Sequence, residues 1–442
     1  MVMIAVFSTG TSPRLEYILH HIITVMWGHP YRLFQNGAEF VESSAEAKIN
    51  YSDLPFEGAF RISPHGLLLE TGIRQLRPEM AWRDGTPHCF LEKVPGADMD
   101  WDPLAACFYF LSRYEEMLPH TPDAHGRFRA EESVAFKNNF LHLAVVDRWA
   151  AELAEALHRM FPAFNPASRK ASFQPTYDID QAYAYREKGF MINAAGFAKQ
   201  LLQGDWNGIR NRAQVLAGGK SDPYDTFALL RQLHEDKGLN PLYFVLFAPR
   251  STHDKGISPG NRAFRELVRR LKDDGKVGLH ASYGSFRNQE ALRHEKAALS
   301  ECLGNEATGN RFHYLRLSLP ESYRNLVAAG ITDDYSMGFA SNAGFRASSC
   351  TPFQHFDLQQ EKALPLTIHP LLLMENCFFN SEERTEAALW QQVRPLLDES
   401  IRYGGEIVTL FHNHSFGPMP GHDLPTMELY LHLIKYMHDT CL

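Results

Sequence analysis

The chain reads as an α/β protein, a distorted (β/α)7-type barrel preceded by a smaller α/β domain. Three observations lead there. From residue 171 onward, short β-prone runs alternate with helical segments. Polar side chains able to do chemistry follow several of those runs directly, and βα folds gather function at the C-terminal strand ends. The part before residue 168 has a strand and helix pattern of its own. It is separated by a linker at 164–170 containing Asn165-Pro166 and Ser168-Arg169-Lys170.

In the first domain, residues 1–168, strands are expected at 4–7, 31–33, 47–51, 60–62 and 67–69, between Gly, Asn, Pro and Asp punctuation. Helices are expected at 13–26, 102–116 and 141–161. The second places Leu104, Cys107, Phe108, Leu111 and Tyr114 on one face, and the third repeats Val145, Trp149, Leu153 and Leu157 every four residues. Residues 123–128, from Asp123 through His125 and Arg127, read as a structured turn in which Asp123 and Arg127 pair.

In the second domain, residues 171–442, seven strands are expected at 173–178, 242–247, 277–280, 312–317, 331–335, 364–368 and 406–411. Helices fit at 227–237, 262–273, 289–302, 322–329, 383–403 and 427–438.

The 442 residues suffice for a barrel and a small domain. A net charge of -8 with no basic stripe argues against nucleic acid as a partner. The apolar stretch 18–27 is interrupted by His20 and His21 and is too short to cross a bilayer, so no transmembrane segment is expected. The first eight residues lack a basic n-region, which points to a cytoplasmic protein. Six cysteines without a C-x-x-C pair fit free, mostly buried thiols.

The stretch Thr176-Tyr177-Asp178-Ile179-Asp180 closes the first strand of the second domain. Its carboxylates are two residues apart, so in a strand they point the same way, and two anions held close call for a cation. A solvated turn or a helix cap is the plain alternative. Other strand ends carry His280, the group Arg311, His313 and Arg316, the pair Asp333 and Asp334, then His369, and finally His412 and His414. So many acids and imidazoles at separate strand ends point to one shared site.

With these motifs, residues 173–442 resemble the polysaccharide deacetylase family, the family 4 carbohydrate esterases with the NodB-homology fold. The preceding block resembles an uncharacterised domain found before such barrels in bacteria. The resemblance implies a metal-dependent hydrolase removing an N- or O-acyl group from a saccharide or a saccharide-containing precursor. Asp178 would be the general base, Asp180 and His280 metal ligands, Arg316 the residue orienting the base and His412 the general acid. The cofactor implied is a divalent metal, zinc first among the candidates.

The chain departs from the family's His-x-x-x-His motif, because Gly284 stands four residues after His280. His313 and Ser285 are the candidates to complete the ligand set, with imidazole the better zinc donor. His313 shares strand parity with Arg311 and opposes Arg316, so both His313 and Arg316 face one site only across a bulge or a strand end. Tyr283, Ser285, Arg346 and His414 are candidate substrate contacts, and Tyr335 and Phe339 are possible stacking rings. Two alternatives follow: an impaired relative that binds a saccharide or a partner, favoured by Gly284, and an amidohydrolase acting on a small N-acyl compound.

Overall fold

The computed structural model describes residues 2–92, 94–378, 383–417 and 425–441. The first domain is built on strands β1 (Ile4–Ser8), β2 (Tyr31–Phe34), β3 (Ala47–Tyr51) and β4 (Phe60–Ile62), parallel and ordered β2-β1-β3-β4. β1 is buried throughout, as an apolar central strand covered on both faces must be. The helix Pro13–Leu19 starts at Ser12, whose hydroxyl accepts from the Leu15 N–H, with Pro13 in the first turn. It runs on as a π-helical segment, His20–Met26. Residues 67–69 form a turn closed by Leu69 N–H on the Gly66 carbonyl, not the expected strand; Leu67 and Leu68 are apolar because they fill the core. A hairpin of β5 (Ala81–Arg83) and β6 (Thr86–His88) precedes the paired helices Pro103–Leu111 and Val145–Met160.

The second domain curls around one nine-stranded sheet. Its strands are β7 (Ser172–Ile179), β8 (Leu242–Val245), β9 (Lys276–Ala281), β10 (Gly309–Phe312), β11 (Asp333–Asp334), β12 (Phe353–Asp357), β13 (Lys362–Ile368), β14 (Leu371–Met374) and β15 (Glu406–His412). The order is β12-β13-β11-β10-β9-β8-β7-β15-β14, parallel except for the β12–β13 pair. The expected distorted barrel takes the form of a curled sheet, a half-barrel with two edge strands. β12 and β14, absent from the strand pattern read above, form its edges. Neither follows a crossover helix, so a β/α alternation passes over both.

β7 and β15 define the two ends of this sheet: Ser172 pairs Glu406 at one and Asp178 pairs His412 at the other. Asp333 and His369 were expected at the second end and lie at the first. β11 begins where β13 finishes, with Asp333 opposite Thr367. There His369 bridges Glu406 at 2.6 Å and Asp333 at 3.2 Å, and its ring stacks on Tyr335 at 4.2 Å. Tyr335 is thereby committed to that pair and not to a sugar.

One hydrophobic core runs through both domains. Tyr17 and Phe108 close over Phe356 at 5.2 and 5.1 Å, covering the edge strand β12, which would otherwise be open to pairing with another chain. Ion pairs cross the same boundary. Arg14 meets Glu361, and Arg148 grips Glu399 through two hydrogen bonds. Arg346, expected to bind substrate, is fully buried. It donates twice to Glu116, at 3.0 and 2.7 Å, and once to the Gly338 carbonyl, and its guanidinium lies 5.4 Å from the centre of the Phe339 ring. Burial would raise the Glu116 carboxyl, but Arg346 and Arg113 outweigh it and hold it at about 2. Arg346 thus joins the domains.

Two outcomes follow. Arg346→Leu strands Glu116 in the core with half its compensation and should cost about 3 kcal/mol in urea unfolding; a loss under about 0.5 kcal/mol would contradict the pairing. Burial lowers the His369 imidazole, yet Asp333 and Glu406 raise it to about 9. Its contribution is complete below the unfolded value near 6.5 and fades as pH rises through about 9. His369→Gln should therefore destabilise by on the order of 3 kcal/mol at about pH 6 and by little at about pH 10. Equal losses at both would show that its charge is not what matters.

Candidate metal centre

At the C-terminal end of the second sheet, side chains from four elements meet at Asp180, just past β7. His280 comes from β9, with its Nε2 at 3.0 Å from Asp180 Oδ1 and 3.6 Å from Asp178 Oδ2. His313 follows β10, with Nε2 at 3.4 Å from Asp180 Oδ2. His412 ends β15, with Nε2 at 3.7 Å from the same oxygen. Donor atoms of Asp180, His280 and His313 all lie within 4.8 Å of one another.

Each imidazole is fixed from behind. His280 Nδ1 lies 2.9 Å from the Arg311 carbonyl oxygen, His313 Nδ1 2.8 Å from Asp254 Oδ1, and His412 Nδ1 2.6 Å from Glu375 Oε1. All three partners accept only, so each Nδ1 carries a hydrogen and each ring turns its Nε2 toward Asp180. The second partners are themselves held. Asp254 accepts from Tyr283 N–H and Ser251 Oγ, and Glu375 from His412 N–H and Ser415 Oγ.

Ring nitrogens turned on a carboxylate need a proton or a metal cation between them. Asp180 Oδ1 is buried and, despite its closeness to His280, makes no hydrogen bond of acceptable geometry. Asp178, Asp254 and Glu375 stand around it, and Arg311 pairs with Asp178 among them, leaving an excess of anions in a buried place. Burial would raise the Asp180 carboxyl, yet the imidazoles of His313, His280 and His412 hold it well below the usual range. Burial lowers His313 and His412, but Asp180 and Asp254 bring the first to about 9, and Glu375 and the aspartates bring the second to about 10. A divalent cation held by Asp180, His280 and His313 would take the place of the proton on His313 and leave the one on His412. The donor set fits: two imidazoles and a carboxylate, with room left for water and a substrate oxygen.

Asp178 is oriented by Arg311, whose Nη1 donates to Asp178 Oδ1 at 3.0 Å and to Thr176 Oγ1 at 2.6 Å. Arg316, expected in that place, points elsewhere. It donates to the carbonyls of His125 and Tyr283 and stacks on Tyr283 and Phe286. The cause is local. β10 ends at Phe312, and the turn His313–Leu315 passes through left-handed Tyr314 and Leu315, at φ 62° and 49°. The strand end keeps Arg311 and His313 on the site and swings Arg316 away. Strand parity already joined Arg311 to His313, and that signal singles out the correct arginine.

The cleft over these residues holds about 390 Å³. His414 lines it, with its ring 5.1 Å from that of His412. Ser285 does not: it is buried, and its hydroxyl donates to the Ser282 carbonyl inside its own turn. Tyr283 stands farther out, stacked on His253 at 3.9 Å. Gly284 sits in that turn, so the second imidazole comes from the next strand, as His313. Several cleft residues were unforeseen, Asn376, Tyr314 and Arg127 among them. Tyr314 lines it beside Arg127, which reaches over from the first domain. Arg127 pairs with Asp123 at 2.6 Å, as the turn suggested, and its Nη1 donates to the Tyr314 carbonyl.

Residues 4–162 match a family of unknown function, DUF7033. No curated protein matches in sequence. Among solved structures, a Mycobacterium smegmatis protein assigned as a polysaccharide deacetylase is similar at 14% identity and TM-score 0.40, over 63% of this chain and 86% of that one. A Bacillus cereus polysaccharide deacetylase is similar at 11% identity and TM-score 0.30, over 61% and 89%. A family 4 acetyl xylan esterase from Clostridium thermocellum, in complex with cobalt, is similar at 12% identity and TM-score 0.28, over 60% and 84%.

The metal assignment sets an expected ranking. Purified protein should take up one divalent ion, His313→Ala should weaken uptake most, and Asp254→Asn should weaken it about 10- to 100-fold by releasing the His313 ring. Full affinity in both variants, measured by competition with a chromophoric chelator, would remove His313 from the ligand set.

Proposed function

We propose that this chain is a metal-dependent hydrolase that removes an acetyl or other acyl group, on nitrogen or oxygen, from a saccharide or saccharide-containing precursor. The observation that carries the reading is the convergence of three Nδ1-anchored imidazoles on Asp180, beside an aspartate held by an arginine. The deacetylase-like motifs supply the substrate class.

Zinc suits the donor set best. When bound, such an ion lowers the pKa of a water and polarises the acyl carbonyl. The remaining chemistry belongs to the chain. Asp178, fixed by Arg311, accepts the proton of the attacking water at its Oδ2, the oxygen turned toward His280. His412 enters protonated, because Glu375 and the aspartates raise it to about 10 against the pull of burial. Its Nε2 delivers that proton to the leaving nitrogen or oxygen. Base and acid lie on neighbouring strands at paired positions, Asp178 opposite His412, so one acyl group can meet both.

A second substrate reading, a small N-acyl compound, is favoured by one feature. Arg127 and Tyr314 wall the cleft, which limits how long a chain can lie across it.

Asp178→Asn should reduce hydrolysis of an acetylated chromogenic ester or an N-acetylated chito-oligosaccharide by a hundredfold or more, on the order expected for a lost general base. Metal content should stay near that of the parent. Arg311→Met should lose activity in the same direction, whereas Arg316→Met should lose far less. A fully active Asp178→Asn protein would end this assignment.

A further inference from the structure

Between β7 and β8 the chain leaves the sheet as a pair of helices, Phe190–Leu202 and Trp206–Leu216. The pair is built inside out. Toward its partner the first helix turns polar or small residues. Asn193 and Gln200 accept from the Arg212 guanidinium, each at 2.9 Å, and Gly196 leaves the space that guanidinium fills. Its exposed face is apolar: Phe190 and Met191, then Ala194 and Ala195, then Ala198, then Leu201 and Leu202. That spacing makes one continuous stripe along the helix. Phe190, Met191, Leu202 and Trp206 are 84, 78, 89 and 67% exposed, while outside this pair no large apolar side chain among the described residues passes 54%. Isolated apolar residues on a surface are ordinary, but a stripe of this length marks a covered face.

Charge says what covers it. Residues 186–220 carry six basic side chains against Glu187 and Asp205, in a chain of net charge -8. Arg212 fills the space between the helices and Arg186 pairs with Asp225, which leaves Lys199, Arg210 and Lys220 as the exposed basic side chains. A second copy docked about a twofold axis would set two basic hairpins against each other. An anionic bilayer surface meets the same charges with opposite ones and receives the apolar stripe among its acyl chains, with Trp206 at headgroup level. We propose that this helical pair docks the protein on an anionic lipid surface, lying in the interface without crossing it.

The root of the pair fixes its direction. The Asp222 carboxylate accepts from the N–H groups of Ala184, Tyr185 and Arg186, and Asn413, next to His412, donates to the carbonyls of Gln181 and Tyr224. The pair therefore rises from the end of the sheet that carries Asp180, so docking would bring that end to the bilayer. The inference stands whether or not the site is hydrolytic.

The test is sedimentation of the full-length protein with vesicles containing phosphatidylglycerol, against phosphatidylcholine vesicles as the neutral control. The parent should sediment with the first far more than with the second. Lys199→Glu with Arg210→Glu should lower the bound fraction on the order of tenfold. Phe190→Ser with Leu202→Ser and Trp206→Ser should abolish it, with an unchanged thermal unfolding midpoint to show that the fold is kept. Failure of the parent to bind anionic vesicles overturns the proposal, as does binding that survives the triple substitution. A dimer seen by light scattering that the triple substitution dissolves, without vesicle binding, would assign the stripe to a second copy instead.

Discussion

The proposed chemistry of the second domain depends on one constraint: three imidazoles must turn their Nε2 atoms on a carboxylate that lies between them, two to hold a cation and the third, His412, to carry a proton. None of the rings could hold that attitude alone, since a neutral histidine can carry its proton on either nitrogen. The Arg311 carbonyl, Asp254 and Glu375 remove the choice by accepting at Nδ1. The surrounding architecture serves those three acceptors. Arg311 offers its carbonyl to His280 and its guanidinium to Asp178, tying the proposed ligand to the proposed base through one residue. Asp254 is held by a backbone N–H of the turn after β9, and Glu375 stands at the end of β14, which pairs with β15. The edge strand that lies outside the β/α alternation is thus the one that supplies the acid's partner.

Much of this was legible in the sequence where periodicity applies. Asp178, Asp180, His280 and His412 follow β-prone runs, and parallel strands of similar length bring such positions to one end. The sequence left two kinds of residue hidden. Asp254 and Glu375 are single acids in connecting segments, and only the folded chain brings them behind an imidazole. Arg346, Ser285, Asp333 and His369 have the right chemistry at plausible positions, but their side chains are spent on Glu116, on Ser282, and on each other with Glu406. A polar residue after a strand is a site residue only if no buried partner claims it first, and that partner can be more than 200 residues away, as Glu116 is from Arg346. The turn at His313–Leu315 defeated strand reading for a different reason. Left-handed Tyr314 and Leu315 are bulky residues in a conformation they rarely adopt, so nothing in their type announces the reversal.

That reversal adds one more tie between the two domains. Holding Tyr314 and Leu315 in the left-handed region costs on the order of 1–3 kcal/mol each, which the surroundings must offset. Two reciprocal hydrogen bonds do so across the boundary: Arg127 of the first domain donates to the Tyr314 carbonyl, and Arg316 of the second donates to the His125 carbonyl. The Asp123–Arg127 pair makes the first-domain turn rigid enough to be a partner. Arg316 is therefore not displaced from a function but given another. By stacking on Tyr283 and Phe286 and gripping His125, it fixes the segment that carries His313.

The same two bonds shape the cleft. Tyr314 and Arg127 line it because the turn that strains Tyr314 also projects its ring over the opening, and the bond that relieves the strain brings Arg127 beside it. An open, curled sheet by itself would leave Asp180 at the floor of a groove that an extended polymer could cross. With the first domain docked, Arg127 joins Tyr314 in the lining of that groove. The arrangement of ligands sets what bond can be broken, and the interdomain turn sets how much of a substrate can lie on either side of that bond. Selectivity in this chain is therefore expected to follow the Arg127–Tyr314 contact, while the proposed chemistry rests on Asp178, Asp180 and His412.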